Sequence, residues 1–287
     1  MVVVGAGRAG GSLARLWHQS GTVEIKAVYS RSSAGELAEA VSAAVHTDID
    51  NLPNTDFLLI ATPDASLKTV ATQLAQESYY NGTRKTVAFH LSGACSSDEL
   101  KPLKTCGFKL ASAHPLRSFT SSDQPEFAGT RCAIEGDRKA LPALQQLFEK
   151  IEGQVFKINK NNKTAYHGAS VITSNGLFAL ADVALDAWHR AGVEPELARE
   201  IFASLAAQTA NSIATHGPAE ALTGPLSRGD TEVVSKQVKE LESNDKLGAE
   251  IYKVLSLRLL ALAENNLDQE TVEHFTGLFT TPDSEEK

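Results

Sequence analysis

The sequence predicts an α/β fold in which a doubly wound parallel sheet precedes an all-helical domain. The chain opens on an apolar strand, a glycine-rich turn and a helix, and apolar strands then alternate with amphipathic helices. This alternation is typical of a parallel sheet covered on both faces. Strand-like runs cease after Asn159, and helical patterns continue to the end. We therefore predict a sheet domain at 1–158 and an all-helical domain at 159–287.

The first two elements are joined by the spacing G-x-G-x-x-G. Val2–Val4 run into Gly5, Gly7 and Gly10, and helix-forming residues follow at once. In this motif the first glycine permits a tight turn, the second admits a pyrophosphate, and the third lets the helix approach the strand. The N–H groups and the positive dipole end of the helix then face the phosphates.

Strand, spacing and helix together predict a dinucleotide-binding Rossmann domain, and they disfavour a set of turn glycines without a ligand. The strand before the turn is short, and a native start upstream of Met1 stays open. The predicted cofactor contacts of the turn are Gly5, Ala6, Gly7, Arg8, Ala9 and Gly10.

The second strand, predicted at 24–29, ends at the position where a Rossmann domain contacts the adenosine ribose of its cofactor. An NAD site usually places Asp or Glu there to hold the 2′-hydroxyl. This chain has Ser30, Arg31 and Ser32 instead, which offer hydroxyls and a guanidinium suited to a 2′-phosphate. The sequence therefore predicts NADP(H) as the cofactor. The alternative is that Arg31 is an exposed loop residue.

The next elements continue the alternation of strands and helices. The predicted strands are 57–61, 86–90, 109–113, 131–135 and 154–158, and the predicted helices are 34–44, 65–75 and 139–151. Ligands of such sheets lie beyond the carboxyl ends of the strands. Ala61, Thr62 and Pro63 are therefore predicted cofactor contacts. Ser92 and His114 follow the ends of two later strands.

The helical half contains a polar strip on its first helix. Predicted helices span 164–191, 195–216, 230–241, 249–263 and 269–279. His167, Ser170, Ser174 and Asn175 fall within about 140° of arc on an otherwise small and apolar helix. Across the mouth of a nucleotide domain, such a strip would point at the nicotinamide. The alternative is a buried, hydrogen-bonded histidine and an asparagine that caps a loop.

A stripe of small residues on the same helix allows close packing with another helix. We expect it to pack inside the helical domain or across a twofold axis, and we expect a homodimer burying on the order of 2,000 Å² or more. The stripe consists of Ala165, Ala169, Ile172, Gly176, Ala179 and Val183.

Composition limits the remaining possibilities. The 287 residues are 42% hydrophobic and carry a net charge of -8, which is the wrong sign for nucleic-acid binding. No run approaches the ~20 apolar residues of a membrane span, so we expect no membrane association. Cys95, Cys106 and Cys132 lack metal-ligand spacing, so we expect no metal site, and their odd number favours a reducing cytoplasm over a disulfide framework.

The whole arrangement resembles the 6-phosphogluconate dehydrogenase-like superfamily, which pairs a Rossmann domain with a helical one. His114-Pro115-Leu116-Arg117-Ser118-Phe119 and the segment 222–230, L-T-G-P-L-S-R-G-D, also resemble a bacterial family of Rossmann-like oxidoreductases of largely unknown function. The resemblance implies an NADP-dependent oxidoreductase.

Part of the long helix resembles ketopantoate reductases. These carry a catalytic lysine and, eight residues later, an asparagine that opens N-P-L-x-A-L; here Asn175 opens N-G-L-F-A-L and His167 stands eight residues before it. The register implies that the imidazolium of His167 replaces the ammonium as proton donor. The lysine itself is missing at that position, although Lys160 and Lys163 lie nearby.

Ser92 and His114 resemble a pair in prephenate dehydrogenases, in which a catalytic serine precedes an H-P-[MLI] histidine by about twenty residues. The resemblance implies that both lie in the active site. Arg117 has the geometry to hold a substrate carboxylate bidentately. Arg228 and Asp230 either form an ion pair that fixes their loop or, with Thr223, form one wall of the substrate pocket.

These observations predict an NADPH-dependent reductase of a small 2-oxo or 2-hydroxy carboxylate, with ketopantoate as the leading candidate. His167 is the predicted donor, and His114 with Ser92 orients the substrate. The alternatives are a non-catalytic NADP(H)-binding redox sensor and an imine reductase of the pyrroline-5-carboxylate reductase type. The predicted catalytic residues are His167, His114, Ser92 and Asn175, and the predicted substrate contacts are Arg117, Ser174, Thr223, Arg228 and Asp230.

Overall fold

The computed structural model describes residues 1–30, 34–49, 52–76, 86–119 and 126–280. These residues form eight strands: β1 (Val2–Val4), β2 (Ala27–Tyr29), β3 (Ala44–His46), β4 (Phe57–Ile60), β5 (Val87–His90), β6 (Lys109–Pro115), β7 (Arg131–Gly136) and β8 (Gln154–Lys157). The strands form one sheet of order β3-β2-β1-β4-β5-β6-β7-β8. Neighbours pair in parallel except β6 and β7, which are antiparallel.

The first helices alternate with the strands and cover the sheet, and the later helices follow the last strand without further strands among the described residues. They are α1 (Arg8–Gln19), α2 (Ala34–Ala40), α3 (Leu67–Gln76), α4 (Leu141–Glu149), α5 (Lys163–Arg190), α6 (Pro195–His216), α7 (Pro218–Ala221), α8 (Thr231–Asn244), α9 (Lys246–Ala263) and α10 (Gln269–Phe279). A 3₁₀ helix, Ser97–Lys104, lies between β5 and β6. The α/β fold followed by an all-helical region confirms the predicted fold class.

Apolar side chains fill both faces of the sheet. Val3 belongs to one buried cluster, whereas Val2 and Val4 belong to the other, as the twofold period of a strand requires. Trp17 of α1 packs edge-on against Phe148 of α4 in the first cluster, with ring centroids 5.3 Å apart. The sheet is therefore doubly wound, as the continuous apolar strands predict.

Two features of the sheet differ from the prediction. The predicted helix at 34–44 ends at Ala40, because Ser42 adopts a φ of 53°, and Ala44–His46 then pair with β2 as an edge strand. Alanine-rich sequence favours a helix, but strand pairing overrides that weak preference here. β7 runs antiparallel to β6, and the described residues of their connection, 116–119 and 126–130, form no helix.

The chain divides into two compact units, Met1–Asn175 and Gly176–Lys287. The predicted boundary at 158 falls just after β8, whereas the compact units divide inside α5. The first turns of α5 pack on the sheet, where the rings of Tyr166 and Phe156 lie 6.3 Å apart. In the second unit, the core lies among α8, α9 and α10 around Val234, Leu260 and Phe275.

The long helices α5 and α6 bury very little within one chain. The buried residues of α5 and α6 are Lys163 and Ala198, while Ile172 and Phe178 are 75% and 76% exposed. Among the described residues, Lys160–Arg190 is also long and apolar enough to cross a membrane, with a mean hydropathy of 1.3. None of the most apolar window of this helix is buried within one chain, and the helix also carries the polar residues His167 and Asn175.

Candidate active site

The glycine-rich turn brings β1 and α1 against the end of β4. Gly5 has a φ of 103°, and a Cβ there would lie 2.6 Å from the carbonyl oxygen of Ala61. A Cβ on Gly10 would lie 2.5 Å from the Cβ of Ala61. A Cβ on Gly7, by contrast, would meet nothing within 4 Å. Gly5 and Gly10 therefore serve close packing, and Gly7 borders open space where a pyrophosphate can approach.

The surroundings of the turn fit a dinucleotide. Gly7 is the N-cap of α1 and offers no side chain to the first N–H groups of the helix, which suits an anion. The hydroxyl of Thr62, two residues after the end of β4, is buried and lacks a hydrogen-bond partner within the described part of the chain. Ser30 is half-buried just after β2. Arg31 and Ser32 lie outside the described residues.

A cavity of about 530 Å³ lies between the end of β6 and the first turns of α5. All of its lining residues belong to the first compact unit. The structure brings five predicted site residues together there, and adds Tyr166 and Ser170. The five are His114, Arg117, His167, Ser174 and Asn175.

Two imidazoles meet at one glycine beside this cavity. The rings of His114 and His167 have centroids 5.8 Å apart. A Cβ on Gly93 would lie 2.5 Å from Nδ1 of His167 and 2.8 Å from Nε2 of His114, so only glycine lets both rings pack here. Nδ1 of His167 is buried and, among the described residues, has no hydrogen-bond partner.

His114 is held uncharged near neutral pH. Burial, and then the charges of His167 and Lys163, lower the pKa of His114 to about 4. Its Nδ1 atom lies 2.8 Å from the hydroxyl of Tyr166. Burial raises the pKa of Tyr166 to about 12, so this hydroxyl keeps its proton. The pair is therefore a neutral hydrogen-bonded unit.

Arg117 supplies a positive charge to the cavity. Its Nε atom is buried and lacks a hydrogen-bond partner in the part of the chain that the structure describes. The guanidinium carbon lies over the ring of Phe119, 5.6 Å from its centroid, at the distance of a cation–π contact. A guanidinium in this state can bind a carboxylate through two parallel hydrogen bonds.

The hydroxyl of Ser92 organises a loop and does not line the cavity. It donates to Oδ2 of Asp64 at 2.7 Å and accepts from the backbone N–H groups of Ala94 and Cys95. Ser92 thus ties the loop after β5 to the turn after β4. In this position Ser92 supports the loops beside the cavity rather than contacting a bound substrate.

The predicted loop residues Thr223, Arg228 and Asp230 lie in the second unit. Nη2 of Arg228 and Oδ2 of Asp230 are 2.9 Å apart, and the side chain of Arg228 is 63% exposed. Gly229 between them adopts a φ of 74°. These contacts match the interpretation in which the ion pair fixes its own loop.

The sequence reasoning missed the buried pair Lys163 and Glu135 and the contact of Tyr166. Two signals were present. Glu135 is a carboxylate in the otherwise apolar run C-A-I-E, and Lys163 precedes His167 by one helical turn, which places both on one face. Burial lowers the pKa of Lys163, and the charge of Glu135 opposes this shift.

Sequence comparison identifies both parts of the chain. Residues 1–115 match the model of a Rossmann-like domain, and residues 130–259 match a domain of unknown function, DUF2520. No curated protein matches the sequence.

Solved structures share the fold over nearly the whole chain. Protein TM1727 from Thermotoga maritima is 29% identical, with 92% of this chain and 98% of that chain covered and a TM-score of 0.71. An NADP oxidoreductase by its name, BF3122 from Bacteroides fragilis, is 20% identical, with 90% and 96% covered and a TM-score of 0.70. An imine reductase from Myxococcus stipitatus in complex with NADP+ is 13% identical, with 97% and 92% covered and a TM-score of 0.60.

The structures from Bacteroides fragilis and Myxococcus stipitatus, at 20% and 13% identity, show only that the fold is shared. Pyrroline carboxylate reductases and prephenate dehydrogenases share it as well. Residues 1–115 thus match a Rossmann-like domain and residues 130–259 a DUF2520 domain, and the chain shares its fold with structures that are named as oxidoreductases and dehydrogenases.

Proposed function

We propose that this protein is an NADPH-dependent reductase of a small 2-oxo carboxylate, with ketopantoate as the leading candidate. The observation that carries the proposal is the cavity lined by Arg117, His114 and His167. It places a cation for a carboxylate beside two imidazoles that suit proton chemistry at a reacting oxygen.

Cofactor binding falls to the turn after β1 and the residues after β2 and β4. The N–H groups that follow Gly7 would hold the pyrophosphate, and Thr62 would offer its hydroxyl. Ser30 and Arg31 would hold the 2′-phosphate that distinguishes NADP from NAD. When bound, NADPH supplies a hydride to an electrophilic carbon.

The chain's own residues bind the substrate and move the proton. Arg117 holds the carboxylate, while Leu116 and Val171 give the cavity an apolar wall. In this mechanism the hydroxyl of Tyr166, 2.8 Å from Nδ1 of His114, donates to that nitrogen, and the proton of the neutral ring then lies on Nε2. His114 then orients the substrate oxygen as a hydrogen-bond donor, and His167 transfers the proton.

An imine reductase is the second candidate, and the uncharged state of His114 favours it. An iminium substrate already carries its proton, so it needs no acid, and a neutral His114 adds no further positive charge beside it. The lowered pKa of His114 keeps that ring uncharged at neutral pH. One structural neighbour is named as an imine reductase.

A panel assay separates the possibilities. We would follow the absorbance of NADPH with 2-oxo acids, including ketopantoate, and with cyclic imines, including pyrroline-5-carboxylate. Methyl esters of the same compounds are the matched controls, since Arg117 requires a carboxylate. Turnover of a 2-oxo acid supports the first proposal, and turnover of imines alone supports the second. NADPH binding without turnover of either class would refute both and leave the redox sensor.

The state of the protein in the cell is part of the proposal. The exposed apolar residues of α5 and α6 support a homodimer. The net charge of -8 argues against a nucleic-acid partner, and we propose no membrane partner. Cys95, Cys106 and Cys132 are free thiols, which fits a reducing cytoplasm.

A further inference from the structure

A buried ion pair lies at the start of α5. The side chains of Lys163 and Glu135 are each 2% exposed, and Nζ of Lys163 lies 3.4 Å from Oε1 of Glu135. Nζ also donates to the hydroxyl of Ser112. The desolvation penalty of two buried charges often exceeds their Coulombic attraction, so stabilisation of the fold does not by itself explain this ion pair.

The pair is the centre of a continuous hydrogen-bond network. Glu135 accepts from the backbone N–H and the hydroxyl of Ser97, each at 2.8 Å. The hydroxyl of Ser112 donates to the carbonyl oxygen of Ser92 at 3.5 Å. Lys163 thereby links α5 to β6, β7, the 3₁₀ helix and the loop after β5.

The same lysine shares a face with the residues that line the cavity. Tyr166 and His167 follow Lys163 by three and four positions, so all three lie on one side of α5. Ser112 and His114 are two positions apart on β6 and therefore point to the same face of the sheet. An ammonium bound to Ser112 consequently lies on the His114 side of the sheet.

We propose that Lys163 is a positioning residue of the reductase site: its buried ammonium sets the rotation of α5 and provides a fixed positive charge toward His114. The link of Lys163 to catalysis rests on the proposed function, whereas its contacts do not. With Lys163 held by Ser112 and Glu135, the hydroxyl of Tyr166 reaches Nδ1 of His114.

The charge of Lys163 shifts the pKa of His114 in a definite direction. The groups that act on His114 are Tyr166 by its hydrogen bond, His167 and Lys163 as like charges, and Asp64 as an opposing charge. Loss of the Lys163 charge removes a repulsion, so the pKa of His114 should rise from about 4 toward its ordinary value of 6.5. Hydration of the ring after a loss of packing would raise the same pKa, because burial is its largest cause. A variant that changes the packing of Lys163 but keeps its charge therefore separates the two effects.

The test is an NMR titration of the His114 ring in the full-length protein. Lys163→Met removes the charge, Lys163→Arg keeps it, and the double variant Glu135→Gln/Lys163→Met avoids an unpaired buried carboxylate. We expect the pKa of His114 to rise in Lys163→Met and, relative to Glu135→Gln alone, in the double variant. Lys163→Arg should leave it near the parent value.

A second readout tests the rotation of α5. The parent should show a nuclear Overhauser contact between the rings of Tyr166 and His114, whose centroids lie 5.7 Å apart, and both methionine variants should lose it. An unchanged pKa and an unchanged contact in the folded double variant would overturn the assignment. Neither measurement needs a substrate, so the result is independent of whether the panel assay succeeds.

Discussion

The hydroxyl of Tyr166 and Nδ1 of His114 lie 2.8 Å apart, and this hydrogen bond joins α5 to the end of β6. Both partners are neutral, because burial raises the pKa of the tyrosine and lowers that of the histidine. When the tyrosine donates to Nδ1, the proton of the uncharged imidazole lies on Nε2. The hydrogen bond occupies Nδ1 in either direction, so Nε2 is the nitrogen of His114 that is left for a substrate.

Tyr166→Phe should slow turnover and leave NADPH binding unchanged. The substitution removes one neutral hydrogen bond, which contributes about 0.5–1.5 kcal/mol, so kcat/KM should fall by about tenfold or less. Steady-state kinetics and cofactor titration check this. Tyr252→Phe is the matched control, since that hydroxyl donates to Gln237 in the second unit. Equal kinetics for Tyr166→Phe and the parent would contradict the orienting role.

His167→Ala should reduce kcat by about 10²–10⁴, the usual contribution of a general acid. His114→Ala should be less damaging, because His114 orients the substrate and does not supply the proton. Both variants should retain the parent's affinity for NADPH. Single-turnover kinetics with the substrate from the panel checks the order of the two effects. A near-normal kcat for His167→Ala would move the donor role to His114.

Arg31→Ala should weaken NADPH binding by about 1.5–3 kcal/mol, the range for a charged hydrogen bond, and leave NADH binding unchanged. The parent should accordingly bind NADPH more tightly than NADH. Calorimetric titration with both cofactors measures the difference. The matched control is Arg8→Ala, since Arg8 lies in the turn that serves both cofactors. Equal affinity of the parent for NADPH and NADH would refute the predicted specificity.

The protein should be a dimer that buries on the order of 2,000 Å² through the apolar faces of α5 and α6. Phe178→Asp should shift it to monomer, because Phe178 is 76% exposed within one chain. Leu247→Asp on α9 is the control, as Leu247 is 73% exposed outside these two helices. Light scattering at micromolar concentration gives the mass. A stable monomer of the parent would exclude this interface.

Acid should destabilise the fold through buried histidines. Burial lowers the pKa of His90 to about 4, so between pH 6.5 and pH 4 the unfolded chain binds a proton that the folded chain does not. The free energy of unfolding should fall across this window by about 3 kcal/mol from His90 alone.

Urea titrations at several pH values measure this loss. His90→Gln should remove that part of the pH dependence, whereas His189→Asn, at an exposed position, should not. A slope unchanged by His90→Gln would show that His90 does not cause it.

Local signals were enough to predict most elements of the fold. The helices 195–216 and 269–279 were predicted with the bounds that the structure shows, since Pro195 and Gly217 mark the ends of the first. The edge strand Ala44–His46 was missed because it is only three residues long and starts at the last residue of the predicted alanine-rich helix; pairing with β2 defines it. The rule for strand ends also led to His114, which meets His167 in the structure.

Contacts between distant segments set the limit of the prediction. Glu135 and Lys163 are 28 positions apart and belong to different elements, so no periodicity relates them. The role of the Ser92 hydroxyl in its loop likewise depends on Asp64, which follows a different strand. Sequence spacing identifies the chemistry of such residues, but the three-dimensional path of the chain selects their partners.

The position of Lys163 limits how this protein can be dissected. A fragment that stops at the last strand, near residue 158, would keep all eight strands but lose the ammonium that neutralises Glu135. The carboxylate would then lie uncompensated in the interior, at a cost of about 3–5 kcal/mol by analogy with broken buried pairs. The sheet is thus not an autonomous module, and exchange of helical halves between relatives requires that the first turn of α5 travel with the sheet.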